Sequence, residues 1–227
     1  MYTIFMSLDA VIIDFDDTLV MTELACFVLE NEALRRMGRQ PMSRETHVQT
    51  WGMQIADAIL LRSPGINVNE YLHVANQVHQ EMVDAGEIDV VSAENIATLT
   101  ALLRHNLQLF ILTSRTEDEC RHLLDPLHNL SDKFVHIYHA GNTSHIKPDP
   151  RVFDALLQEY SLTPDTCVYV GDSPSDGIAA NKAGMKFIAC FESGLRTPDD
   201  FKDISVGASI DRFTELTTAI QLVDQDV

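Results

Sequence analysis

A chain of 227 residues, 45% hydrophobic and 22% charged, is long enough for one large domain or for one domain carrying a substantial insertion. Its 16 Lys and Arg against 34 Asp and Glu leave a formal charge of −18, which argues against a passive electrostatic grip on DNA, RNA or anionic lipid; an anionic ligand must meet positive charge built locally. No apolar run approaches the ~20 residues of a membrane span, the N-terminal MYTIFMSLDAVIIDF lacks the basic region of a signal peptide, and Cys26, Cys120, Cys167 and Cys190 form no C-x-x-C pair, so the expectation is a cytoplasmic protein with reduced thiols.

In chain order, the first predicted element is a strand at 10–13, short and apolar on both faces. A helical stretch follows over 22–91. Leu24, Phe27, Val28, Leu34 and Met37 fall near a helical period and stop at Gly38; Ile55, Ile59 and Leu60 run into Pro64-Gly65; Tyr71, Val74, Val78 and Met82 continue the style. A second strand is expected at 107–112, then a helix start at Thr116 with Glu119 as a capping box. A third strand at 134–138 precedes a helix opened by Asp149-Pro150, with Val152, Phe153, Leu156, Leu157 and Tyr160 on its apolar face. A fourth strand at 167–170, a helix over 176–182 closed by Gly184, and a fifth strand at 187–191 complete the pattern. Strands alternating with helices predict an α/β, doubly wound parallel sheet. The expected division is a core of residues 1–21 and 92–227 interrupted by a helical domain of residues 22–91.

The chemistry-bearing residues sit where these strands end. The first ends in Asp14-Phe15-Asp16-Asp17-Thr18-Leu19, and in an extended chain Asp14 and Asp16 share a face. Two carboxylates held together need a cation between them or a proton on one, which suits a hard ion such as Mg²⁺; an acidic turn is the plain alternative. After the second strand, Thr113 and Ser114 offer a hydroxyl and a backbone N–H to a phosphate oxygen, or simply begin a helix. Lys147, set against Pro148 and Pro150, can neutralise carboxylates and an incoming phosphate, although a lone lysine is ordinarily solvated. The fourth strand exits through Gly171-Asp172-Ser173-Pro174-Ser175-Asp176, again with two carboxylates, one of which can act as a helix cap. Four successive strands of one sheet would thus bring Asp/Asp, Thr/Ser, Lys and Asp/Asp to a common edge.

DFDDTL, FILTSR, IKPDPRVF and VYVGDSPSDGIAANKAGM, in this order, resemble the four signature segments of the haloacid dehalogenase superfamily of hydrolases, most closely its phosphoglycolate phosphatase and β-phosphoglucomutase branch. The resemblance implies a Rossmann-like core with a helical cap inserted after the first segment. It implies a Mg²⁺-dependent phosphatase acting on the phosphomonoester of a small phosphorylated metabolite, with no nucleic acid polymer and no membrane as partner. Carried onto this sequence, it makes Asp14 the nucleophile that forms an aspartyl-phosphate and Asp16 the acid and base. Thr113, Ser114 and Lys147 would hold the phosphoryl oxygens, and Asp14, Asp16 through its backbone carbonyl, Asp172 and Asp176 the metal. Asp17 stands where many relatives have glycine. An Asp at position 16 argues against dehalogenation, because a departing halide needs no proton.

In the helical insertion, Trp51, Gly52 and Met53 fall where related caps place a substrate-contacting loop, and Arg35, Arg39, Arg44 and Arg62 are candidates for a second anionic group. A lone Trp is otherwise core and scattered arginines face solvent. Related sugar phosphomutases place an arginine shortly after the loop glycine, whereas Met53, Gln54 and Ile55 follow here. The insertion contains no lysine, which opposes an imine-forming phosphonate hydrolase. The nine histidines are not spaced as a metal site. The alternatives are a 5′-nucleotidase or sugar phosphomutase of the same superfamily, and a non-catalytic binding or regulatory protein on the same fold.

Overall fold

The computed structural model describes residues 7–125 and 128–225; the reading of the N-terminal segment as no signal peptide rests partly on residues 1–6, outside the described ones. The elements are β1 (Ala10–Ile13), α1 (Glu23–Arg36), α2 (Arg44–Gln49), α3 (Ile55–Arg62), α4 (Val68–Ala85), α5 (Ala93–Leu103), β2 (Gln108–Leu112), α6 (Glu117–Cys120), β3 (His136–Tyr138), α7 (Asp154–Glu159), β4 (Cys167–Gly171), α8 (Pro174–Ala183), β5 (Lys186–Cys190), β6 (Ala208–Ile210) and α9 (Leu216–Gln225). Among the described residues no helix is long and apolar enough to cross a membrane.

Among the described residues six strands pair in parallel, in the order β3-β2-β1-β4-β5-β6. The apolar runs do not alternate because both faces of the sheet are covered. From β1, Val11 and Ile13 join one buried layer with Leu99 and Leu102 of α5 and Leu216 and Ile220 of α9. Ala10 and Ile12 face the other layer, with Val152, Phe153, Leu156 of α7, and Ala179 and Ala180 of α8. This is the α/β Rossmann-like sheet that the pattern predicts.

Details differ. A sixth strand extends the sheet beyond the five expected; it has three residues with a burial that rises only at Ile210, too short and too exposed to print a periodic signal. The helix expected after Asp149-Pro150 starts as a 3-10 turn (Pro150–Phe153) before α7 begins, with Asp149 accepting from the Arg151 N–H at 3.0 Å. The capping box at Thr116 and Glu119 is present, and Gly184 ends α8 with φ of 83°, the left-handed conformation that glycine adopts without strain.

The chain separates into two compact units, Met1–Val20 with Val91–Val227, and Met21–Val90. The second consists of α1 to α4 around its own apolar core of Leu29, Ala33, Leu34, Ile59, Tyr71, Val78 and Met82. Its interior also buries a polar network. The Arg62 guanidinium pairs with Glu30 at 2.5 Å, and His47 lies between Glu23 at 2.6 Å and Glu30 at 3.3 Å.

Candidate active site

Asp14, Thr113 and Asp172 are delivered by strand ends, Lys147 by a loop and Asp176 by a helix start. Asp14 follows β1 directly, its N–H donating to the Val170 carbonyl of β4 at 2.9 Å. The chain then turns sharply: Asp17 has φ of 54° and its N–H donates to the Val20 carbonyl at 2.7 Å. This turn needs a left-handed residue, and an aspartate tolerates that conformation better than most side chains. Thr113 follows β2, its N–H bonded to the Tyr138 carbonyl at 2.9 Å, and Ser114 comes next. Lys147 arrives from the loop after β3, and Asp172 follows β4 at Gly171.

Asp176 is fixed by the start of α8. Ser173 caps that helix, and Asp176 returns the bond, its Oδ2 accepting from the Ser173 N–H at 3.0 Å and from the Ser173 hydroxyl at 2.6 Å. A Cβ at residue 171 would meet the Asp176 side chain at 2.6 Å, so the last position of β4 must be glycine for that carboxylate to sit where it does.

Asp14, Asp172 and Asp176 are all buried, and one oxygen of each lies within 4.8 Å of the others. Lys147 Nζ enters the same cluster, 2.9 Å from Asp14 Oδ1 and 2.7 Å from Asp176 Oδ1. Burial raises the Asp14 carboxyl; Lys147 opposes this, Asp176 and Asp16 add to it, and the net is a rise to about 7. Asp172 is pushed well above the carboxylate range by burial and by Asp176, Asp14 and Asp17. Burial alone would lower the Lys147 ammonium, but Asp14, Asp176 and Tyr169 together hold it well above the ordinary lysine range. One ammonium cannot neutralise three buried carboxyl groups in a low-dielectric interior, so they keep protons unless a further cation is bound. Hard oxygen donors, buried and mutually repelling, fit a divalent cation of the Mg²⁺ type.

Two residues that the sequence reading left without a role belong here. The Tyr169 hydroxyl accepts from Lys147 Nζ at 3.1 Å and donates to Asp176 Oδ1 at 3.0 Å, so it fixes the ammonium between its two acids. Arg115 holds the Asp16 carboxylate, Nη2 to Oδ1 at 2.7 Å and Nε to Oδ2 at 3.0 Å. The available signals were a polar tip in an otherwise aliphatic buried strand and an arginine directly after the Thr113-Ser114 pair. Replacing Tyr169 with phenylalanine is expected to lower the unfolding free energy of the metal-free protein in urea by about 1.5–3 kcal/mol, the range for a buried bond to a charged group; an unchanged midpoint would mean that the hydroxyl does not hold Lys147.

The arginines named as candidates for a second anion have partners within the helical unit. Arg35 pairs with Glu32 at 2.8 Å, Arg44 with Glu23, and Arg62 with Glu30. Arg39 donates to the Pro64 and Gly65 carbonyls at 3.1 and 2.6 Å. Trp51, Gly52 and Met53 lie after α2 in the same unit. The Trp51 ring is 5.2 Å from that of His47, Gly52 has φ of 86°, and Met53 is exposed.

The sequence matches the family model of haloacid dehalogenase-like hydrolases over residues 11–190. It is 28% identical over 188 residues to a phosphoglycolate phosphatase of Pseudomonas fluorescens, covering 79% of this chain and 68% of the relative. A phosphoglycolate phosphatase of Photobacterium profundum is 25% identical over 220 residues, 92% of this chain and 94% of the relative. Among solved structures, CbbY from Rhodobacter sphaeroides in complex with phosphate superposes with a TM-score of 0.78 at 20% identity, over 94% of this chain and 99% of that one. A predicted phosphoglycolate phosphatase from Haemophilus somnus gives 0.76 at 20% identity, over 93% and 97%. The chain belongs to the haloacid dehalogenase-like hydrolase family. Within it, the chain is similar to phosphoglycolate phosphatases.

Proposed function

We propose that the protein is a Mg²⁺-dependent phosphatase that hydrolyses the phosphomonoester of a small phosphorylated metabolite through an aspartyl-phosphate on Asp14. The observation that carries this reading is the buried Asp14 carboxylate held 2.9 Å from Lys147, beside Asp172 and Asp176. A nucleophile so placed has a cation at hand to receive an anionic phosphoryl group, in a buried setting where that attraction is weakly screened.

In the first half-reaction an Asp14 oxygen bonds to phosphorus while the bond to the leaving oxygen breaks, and Asp16 passes a proton to that oxygen. In the second, Asp16 takes a proton from water, the water oxygen bonds to phosphorus, and the Asp14–phosphorus bond breaks to release inorganic phosphate. Thr113, the Ser114 N–H and Lys147 hold the equatorial oxygens, where charge accumulates in the transition state. The carboxylates of Asp14 and Asp172 and the Asp16 carbonyl would bind the metal, with Asp176 behind them, its two oxygens already taken by Lys147, Tyr169 and Ser173. A cation held there would offset the repulsion between an anionic nucleophile and an anionic substrate. The reading makes residues 22–91 the cap that selects the substrate, with Trp51, Gly52 and Met53 as its contacting loop. The names of the relatives, phosphoglycolate phosphatases among them, support a small phosphorylated acid or sugar as the substrate class.

The test is phosphate release from a panel of phosphorylated metabolites and an aryl phosphate, with Mg²⁺ and with chelator. Release that chelator abolishes and Mg²⁺ restores is expected; folded protein that turns over nothing in the panel would favour a binding role. Metal binding also has an expected pH dependence. The Asp14 carboxyl stays protonated up to about 7 in the metal-free protein, and a carboxylate must lose its proton to hold a cation. The rise in thermal midpoint caused by Mg²⁺ should therefore grow from pH 6 to pH 8. A pH-independent increment would place the ion elsewhere.

A further inference from the structure

Arg115 is secured at both ends. Its N–H donates to Thr113 Oγ1 at 3.2 Å and its carbonyl accepts from the Ala140 N–H at 2.8 Å. At the other end the guanidinium lies over the buried Phe15 ring, 4.6 Å from its centre, and forks onto both oxygens of Asp16. The arginine side chain is 8% exposed and that of Asp16 24%. A surface ion pair between two mobile side chains contributes little. This one is planar, stacked and largely withdrawn from water, the setting in which arginine and lysine are not interchangeable.

A carboxylate offers about four lone-pair directions, two on each oxygen. The guanidinium approaches side-on, Nη2 and Nε both bonding Oδ1 at 2.7 and 3.2 Å and Nε bonding Oδ2 at 3.0 Å, which fixes the plane of the carboxylate. We infer that Arg115 is a positioning residue for Asp16: it fixes the rotamer of that carboxylate and thereby dictates which lone pairs exchange a proton with the leaving oxygen and, later, with water. The inference rests on the phosphatase reading above. Arg115 is not assigned to substrate, because its fork is already spent on Asp16.

The test separates positioning of the acid from a general structural role by varying how much the leaving group needs a proton. p-Nitrophenolate departs as a stable anion, whereas an alkoxide must be protonated as it leaves. kcat/KM for p-nitrophenyl phosphate and for the best alkyl phosphate of the metabolite panel is measured for the wild type, Arg115→Met and Arg115→Lys, with circular dichroism reporting the fold. Methionine keeps an unbranched stem over Phe15 but has no donors. Arg115→Met should lower kcat/KM for the alkyl phosphate by about 10²-fold, the usual contribution of a positioned acid, with little change for p-nitrophenyl phosphate. Arg115→Lys, which keeps the charge but not the fork, should fall between. An equal loss on both substrates, no loss on either, or a change confined to KM would overturn the inference. If Arg115→Met does not fold, Arg115→Lys alone decides by the same comparison. A wild type inactive on both substrates would instead bring down the phosphatase reading and the inference with it.

Discussion

Asp14→Asn is expected to lower phosphate release by roughly 10⁴-fold or more, the scale of losing a covalent nucleophile, while leaving the fold intact. An amide cannot form the acyl-phosphate, and its oxygen is a poor ligand for a hard cation. Stability should move the other way. The Asp14 carboxyl is raised to about 7 in the folded chain from an ordinary value of 3.8. Between those values the folded state keeps a proton that the unfolded state releases, so in metal-free protein Asp14 lowers stability as pH rises through the window, and the cost is complete above pH 7. That cost is on the order of a few kcal/mol. Lys147 retains Asp176 at 2.7 Å in the variant, so no cation is stranded. Metal-free Asp14→Asn should thus unfold at the same or higher urea concentration than the wild type at pH 8, and the difference should shrink toward pH 5. Undiminished turnover would mean that another residue attacks phosphorus. A marked loss of stability at pH 8 would mean that the charge on Asp14 supports the fold.

Lys147→Met gives the second large effect and reverses the pattern. Removing the ammonium leaves Asp14 and Asp176 buried without the cation 2.9 and 2.7 Å away. Breaking a buried pair by deleting one partner costs about 3–5 kcal/mol, and here two acids share the partner. Metal-free Lys147→Met should be strongly destabilised near pH 8 and partly recovered at pH 5, where Asp14 is protonated. Mg²⁺ should raise its thermal midpoint more than that of the wild type, because the ion then supplies the missing charge. Turnover should fall by about 10²–10³-fold at saturating metal, the scale of losing one donor to transition-state charge. Activity near wild type would remove Lys147 from the reaction, whatever happened to stability.

The sheet was readable because a strand covered on both faces must be apolar throughout: the run at 10–13 leaves no other reading once helices follow at each crossover. The site was readable for a related reason. Carboxylates, hydroxyls and an amine are costly next to such strands, so Asp14, Thr113 and Asp172 at their ends stand out against Ile13, Leu112 and Gly171. Other features were hidden by the same logic. β6 has three residues and lies at the sheet edge, where little burial is demanded. Helix α1 buries Glu23, Glu30 and Asn31 beside Leu29 and Leu34, so its inward face carries charge that a pattern of apolar positions reads as solvent. Arg62 pairs with Glu30, 32 positions away in sequence, a meeting that no local pattern announces. Tyr169 and Arg115 escaped because their roles depend on what lies across the sheet edge, Asp176 for one and Asp16 for the other, and neither meeting is local.

Covalent attack by Asp14 is the step on which the proposed reaction depends. The most direct measurement is to quench the protein during steady turnover with borohydride, which reduces an acyl-phosphate to an alcohol, and to read residue 14 by peptide mass spectrometry. The predicted result is homoserine at position 14, formed only when Mg²⁺ and a phosphorylated substrate are both present and absent from Asp14→Asn. Steady phosphate release with an unmodified Asp14, or reduction at a different carboxylate, would contradict it.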